Sequence, residues 1–551
     1  MDKDTVNKAG RIIAIVLASI FLLACLLQLV LLVWGGDIIR SKIEKEIEKG
    51  SDKLYSFKAE KIVPSLFGRS VTFKNAHFAP NPDVYKSLKE KNEADRRLYN
   101  VNVKRLKLKG IHLSKLFFDD EVEINNFFLE NPDIIIIDHP DVKKKEDEKA
   151  KFTLYELFSP KYSSVTLGDL TIQKGTFNLI EAGKDSLLKI HITGLDSELK
   201  DILVDSSNGK NNVKLFEAGS FDYRLDSINI AIDNGMNDLS CGEIRYSSGE
   251  KNLMIKNIKL KPKAGKFEYA QSFGHEKDRL NLSVSEIVAS DFSSVEFLQS
   301  GVLNIGRLVL NNFDMDAFRD KRLKLADKIK KLPQEMLREI SLPIKIDTLE
   351  LNGNKISYSE YHAEGKEGLI YFTNINGIIS NITNIKTDSI GNHMKVKARG
   401  YIYGKSRLDA DFDFHIFDEN NLFYYSGYLN KIDATAFNQM SVPVADLEIE
   451  EAIINDMEFH ASANTNVATG TMTLKYDNLK VEIVNKELKS FLANTFVIKN
   501  SNPQDDELRE GKMYFERDKR KAITNYVWKS ILSGMKSSIG MDKHLPESKD
   551  E

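Results

Sequence analysis

The sequence predicts a mostly β chain tethered to a membrane by one N-terminal helix, and two observations predict it. Residues Ile12 to Trp34 carry no charged side chain, and Gln28 is their one strongly polar residue besides Ser19. A helix rises about 1.5 Å per residue, so roughly 20 such residues cross a hydrocarbon core. From about Phe57 onward the chain turns to short alternating apolar and polar runs. They are rich in Val, Ile, Phe, Tyr and Thr and punctuated by Gly, Asn and Asp, which is strand-and-turn composition.

The anchor comes first. Ile12, Ile20, Leu29 and Trp34 mark its length, and residues 1–36 form the short tail and span. A cleaved secretory signal would have a shorter apolar core and a small-residue cleavage site. Leu22-Leu23-Ala24-Cys25 resembles a lipobox, but apolar residues continue past Cys25 where a lipoprotein carries a polar tether. Lys3, Lys8 and Arg11 precede the span and Arg40, Lys42, Lys45 and Lys49 follow it, so charge counting does not orient it. Residues 37–56 read as a juxtamembrane helix, with Ile38, Ile39, Ile43 and Ile47 at helical spacing.

Within the β region one pattern recurs: apolar, two others, apolar, one other, apolar. It occurs at Val103/Leu106/Leu108, Leu167/Leu170/Ile172, Leu225/Ile228/Ile230 and Ile255/Ile258/Leu260. It returns at Ile305/Leu308/Leu310, Ile346/Leu349/Leu351 and Val444/Leu447/Ile449. A strand that alternates, slips by one and alternates again turns its apolar residues to the other face, unless a bulge absorbs the slip. The expectation is a set of bulged strands. Leu106, Leu108, Leu170, Ile172, Leu308, Leu310, Leu349, Leu351, Leu447 and Ile449 are the candidates to line one apolar face.

Residues 57–317 and 341–500 make a first and a second β region. Between them Phe318 to Ile340 has helical spacing, with Pro333 expected to kink or split it. Lys143 to Lys151 is a charge-rich loop. Residues 501–518 read as linker and strand. Lys519 to Met541 reads as an amphipathic basic helix, with Ile523, Val527, Ile531 and Met535 in a stripe beside Trp528. That stripe suits a membrane surface or a protein partner, and equally a helix that caps the sheet. Residues 542–551 read as a disordered tail.

Catalytic signatures do not hold. Gly404-Lys405-Ser406 lacks the upstream glycine of a phosphate loop, because Arg399 stands there. Asp409, Asp411 and Asp413 alternate with Ala410, Phe412 and Phe414, which is a strand with one wet face rather than a calcium loop. The 10 histidines form no HxH or HExxH pair. Cys25 and Cys241 suggest no disulfide. The net charge of -3 gives no electrostatic case for nucleic acid. No enzyme activity, cofactor or metal is expected. A large β protein tethered to a membrane points to a physical task, such as holding acyl chains on an apolar face.

The run Ser65-Leu66-Phe67-Gly68-Arg69-Ser70-Val71-Thr72-Phe73-Lys74-Asn75-Ala76 opens the β region. Val103 to Ile111 and then Val122 to Ile136, with Asn131-Pro132-Asp133, follow it. Together with the anchor this resembles the beginning of AsmA-like proteins of Gram-negative bacteria. Tyr526 to Lys536 resembles the tail of their Bacteroidota-type members. The resemblance covers both ends, and the middle only by β character. It implies a twisted sheet with an apolar groove, an inner-membrane anchor and a periplasmic bulk. It also implies phospholipid acyl chains as cargo, supporting outer-membrane integrity, with envelope proteins reached through the C-terminal helix. The chain is short for the family's bridge-like members, so a partner or a regulatory role fits as well. The alternative expectation is an assembly factor for outer-membrane proteins, working through edge strands and the C-terminal helix.

Overall fold

The computed structural model describes residues 19, 21–111, 121–142, 164–183, 186–200, 220–362, 365–386, 392–483 and 499–541. The chain is mostly β, with 56% of residues in strands and 19% in helices. It divides into two compact units. Unit 1 comprises Met1–Gly235 and Gly242–Gly249, and unit 2 comprises Met236–Cys241 and Glu250–Glu551. The division falls near residues 235–250, and the 318–340 segment lies inside unit 2.

Unit 1 begins with a helix, α1 (Phe21–Gly50), long and apolar enough to cross a membrane. Ile12 and Ile20 lie outside the described residues, whereas Leu29 and Trp34 sit on α1 as exposed side chains. The helix ends at Gly50 rather than near residue 56, and β1 starts at Tyr55. The strands are β1 (Tyr55–Ser65), β2 (Ser70–Pro80), β3 (Arg97–Ile111), β4 (Glu121–Asp138), β5 (Ser164–Glu181) and β6 (Leu187–Lys200). After them come β7 (Ser220–Leu225) and β8 (Ser227–Ile232). A short helix α2 (Pro82–Glu90) starts on the Asn81 side chain, which accepts from the amides of Asp83 and Val84. Neighbours pair in chain order, antiparallel except for the parallel β4–β5 pair. The segments β7 and β8 pair with the two halves of β6.

Unit 2 takes β9 (Asn237–Cys241), while β10 (Ile244–Ser247) belongs to unit 1 and pairs with β7. Unit 2 continues through β11 (Asn252–Pro262), β12 (Arg279–Ser290), β13 (Leu303–Asn311), β14 (Asp314–Asp320), β15 (Ile344–Tyr361) and β16 (Glu367–Thr383). Next are β17 (His393–Ile402), β18 (Ser406–His415), β19 (Phe423–Leu429), β20 (Ile432–Asp433), β21 (Leu447–Ala463), β22 (Val467–Ile483) and β23 (Glu510–Glu516). Its helices are α3 (Glu268–Phe273), α4 (Ser294–Ser300), α5 (Pro333–Arg338), α6 (Asn438–Ala445) and α7 (Ile523–Ser538). Both β13 and β14 pair parallel with β15, and the other neighbouring strands described in unit 2 run antiparallel. The helix expected over 318–340 is thus only α5. Phe318 is a buried strand residue of β14, and Pro333 opens the helix instead of kinking it. Its missing amide costs nothing at that first position.

The recurring sequence slip has a structural cause. In β3 the ladder skips at Lys104, opposite Asn131 of β4, between Val103 and Leu106. Asn75, Asn131 and Lys174 take left-handed φ values of 47, 48 and 52° at matching levels of β2, β4 and β5. The ladders skip likewise at Asn257, Gly306 and Asp347 in unit 2, opposite Asn381 in the last case. At each skip both strands leave one residue unpaired and the register is kept, so neighbouring strands carry the slip together and the apolar residues before and after it stay on one face. The last copy is different: Val444 sits on α6, and its helix ends at Asp446 with a left-handed φ of 51° before β21 begins.

Candidate functional site

The pairing registers turn the sequence candidates into rows. In unit 1, Val71, Leu108, Phe127 and Leu170 stand opposite one another across β2 to β5. The next row is Phe73, Leu106, Leu129 and Ile172. Seven of these eight side chains are half-buried, and only Phe73 is fully buried. The opposite face carries Lys74, Arg105, Lys107 and Lys109, all exposed. There Lys104 and Arg105 both pair with Glu130, and the Lys104 hydrogen bond holds the Glu130 carboxyl below its ordinary range. Phe127 and Leu129 flank Phe128 in an unbroken apolar run, where alternation alone does not select a face.

One end of these rows meets the apolar helix α1. Ile39 and Ile43 of α1 pack with Phe57, Val71, Leu106 and Leu108 around Ala59, Ile62, Phe73 and Ala76. The approach is close: a Cβ on Gly36 would lie 2.6 Å from the Ile62 carbonyl oxygen. Gln28 donates to the Pro64 carbonyl at 3.2 Å and accepts from the Leu66 amide. Arg40 donates to the carbonyls of Ala59 and Glu60, each at 3.2 Å. Three carbonyls of β1, those of Ala59, Glu60 and Pro64, are therefore engaged by α1, which also satisfies Gln28, the strongly polar side chain of the apolar span.

In unit 2 the candidates pair directly. Ile305, Leu308 and Leu310 lie beside Ile346, Leu349 and Leu351 in parallel register. The Leu308–Leu349 row continues through Ile379, Val396 and Phe412, all half-buried, to Tyr425 and Ala461, which are buried. The change from half-buried to buried coincides with α7. That helix presses Tyr526, Ser530, Gly534, Ser537 and Ser538 onto β22 and β23. Burial pushes the Tyr425 phenol up to about 12, and its neutral hydroxyl shares a hydrogen bond with Ser530. Leu447 and Ile449 lie elsewhere, at the start of β21 against Ile483 and Val481.

The C-terminal stripe is turned inward. Ile523, Val527, Ile531 and Met535 pack on the unit 2 core, and Trp528 is left at 37% exposure. The geometry is that of a cap. The buried line is one of small residues, which apolar spacing does not reveal. Ser537 Oγ accepts from the Lys512 amide at 3.0 Å, and Ser533 Oγ accepts from the Tyr514 amide at 2.9 Å. These are amides of β23, so α7 also engages an outer strand. The preceding polar segment is docked rather than loose: Asn502, 1% exposed, bonds the Leu474 and Arg509 carbonyls and the Arg509 amide. The charged loop at 143–151 and the tail at 542–551 lie outside the described residues. No family model and no curated protein matches the chain.

Proposed function

We propose that this chain is a membrane-anchored, acyl-chain-binding protein of the bacterial envelope, whose half-buried apolar rows hold phospholipid tails. One observation carries the reading: in unit 1 the rows begin against the helix that continues the membrane span. Each methylene moved from water to an apolar surface contributes about 0.8 kcal/mol. A face with several half-buried leucines and isoleucines in register offers that gain along its length. The resemblance to AsmA-like proteins supports the same task, with the bulk of the chain in the periplasm and a role in outer-membrane integrity. The competing reading is an assembly factor that works by strand addition. It is weakened because side chains of α1 bond the Ala59, Glu60 and Pro64 carbonyls of β1, and side chains of α7 bond the Lys512 and Tyr514 amides of β23. A photo-reactive phenylalanine analogue at Leu108 or Leu349 tests the proposal. Phospholipid crosslinked from both positions in whole cells is expected. Crosslinks to protein alone would refute it.

A further inference from the structure

On the face of unit 2 opposite the apolar row, three metal-binding side chains converge. His393 opens β17 and His415 closes β18, and the two are direct cross-strand partners. Their rings lie 4.0 Å apart, centre to centre. Asp413 is two residues before His415, on the same face of β18. One donor atom from each of the three lies within 4.8 Å of the others.

The hydrogen bonding here is incomplete. Asp413 Oδ1 is buried from solvent and has no hydrogen-bond partner. His393 Nδ1 comes within 3.0 Å of it, but off the direction a hydrogen bond requires. Lys395 stands directly opposite Asp413 in register, yet no ion pair joins them among the described residues. Asp409, on the same strand, shows the contrast, with its carboxylate taken up by Arg399 and Arg407. A carboxylate oxygen and two imidazoles are therefore gathered with no shared cation to satisfy them. A proton on His393 would serve the His393–Asp413 contact alone and leave His415 outside it. A metal ion would engage all three.

We propose that His393, Asp413 and His415 form a binding site for a borderline divalent metal ion of the zinc type. Two imidazoles and one carboxylate favour such ions over calcium or magnesium, which prefer all-oxygen sets. Bonds of about 2.0–2.2 Å require only that the three side chains draw together by rotamer adjustment. His415 and Asp413 sit at the end of one strand and His393 at the start of its neighbour, so the ion would pin the β17–β18 pair. All three side chains are half-buried, which leaves coordination positions for water or for a donor from a partner.

The test uses the untagged full-length chain in detergent micelles. Zn²⁺ is titrated in competition with a chromophoric chelator, and Co²⁺ is added separately for its visible absorption. One equivalent of Zn²⁺ bound at micromolar affinity or tighter is expected, with a Co²⁺ band of a low-coordinate nitrogen–oxygen site. His393→Gln, His415→Gln and Asp413→Asn should each weaken Zn²⁺ at least tenfold, while Asp411→Asn leaves it unchanged. Excess Ca²⁺ should not compete. Absence of a Co²⁺ band in the wild-type chain would overturn the proposal whatever the variants do. So would Zn²⁺ affinity equal in wild type and folded His415→Gln.

Discussion

Leu129 is the position where the acyl-chain reading is most exposed to refutation. It lies on β4 between Leu106 of β3 and Ile172 of β5, half-buried, within the row that starts beside α1. Leu129→Asp puts a carboxylate into that row without touching the opposite face. A tail crossing this point would lose contact with about three or four methylenes, at about 0.8 kcal/mol each. The sum is about 2.4–3.2 kcal/mol, or roughly a 50- to 200-fold loss of affinity at about 1.4 kcal/mol per tenfold. The fold should suffer less, by about 1 kcal/mol, because the leucine already meets solvent. Lys107→Asp is the matched control: it adds the same carboxylate on the exposed face of β3. The assay is retention of radiolabelled phospholipid by the detergent-purified chain, with thermal unfolding recorded in parallel. Leu129→Asp should lose the lipid at nearly native Tm, and Lys107→Asp should keep it. Equal retention by the two folded variants would refute the reasoning.

Three further outcomes follow from the packing. Ser533→Ala with Ser537→Ala removes the acceptors of two β23 amides, and the pair should lower stability by about 1–3 kcal/mol, read by denaturant midpoint at unchanged slope. Gly511→Leu should lower it by at least 2–3 kcal/mol, because a Cβ there would meet the Gly534 carbonyl oxygen at 2.5 Å; an unchanged Tm would contradict the tight seating of α7. The side-chain hydrogen bond from Arg322, with the Arg322 amide and charge behind it, holds the Asp320 carboxyl below its ordinary 3.8. Its contribution is present above that pH and is lost as pH falls through the lowered value, so Asp320→Asn should flatten the acid limb of Tm measured from pH 6 to 3.

The long apolar N-terminal helix and the β class were legible because each rests on long composition patterns that nothing later in folding overrides. The slip of one residue was legible too, although it is shared by neighbouring strands with the register kept rather than being a bulge in one strand. Less legible was which strands stand side by side. Leu308 and Leu349 pair directly, whereas Leu108 and Leu170 are separated by Phe127, and no spacing in the sequence distinguishes the two cases. Phe318 to Ile340 misled for a physical reason: lysines interleaved with apolar residues give helical spacing. Even so, Phe318 pairs in β14 with Ser359 and packs against Phe267, and Arg319 beyond it pairs with Asp278, so tertiary contacts claim the segment's start. The three-residue cluster at His393 was invisible because its members come from two strands.

The C-terminal helix separates two tasks that its sequence merges. An apolar stripe beside basic residues fits a membrane-surface helix and a cap alike, and the choice turns on which residues face the protein. Gly534, Ser530, Ser537 and Ser538 are buried, and a helix resting on a sheet through such small residues approaches its backbone closely. That approach is what lets Ser533 and Ser537 reach the β23 amides. A helix that left for a bilayer would uncover those amides and the Tyr425–Ser530 hydrogen bond together, at about 1–3 kcal/mol for each buried polar group left unmade. Lys529 and Lys536 remain on the outer side, exposed with Trp528. They can meet an anionic surface while the helix stays in place. A membrane contact at this end would therefore not require the cap to open, and basic-to-acidic substitutions at Lys529 and Lys536 should weaken binding to anionic vesicles without lowering Tm; vesicle binding equal to that of the wild type would count against such a contact.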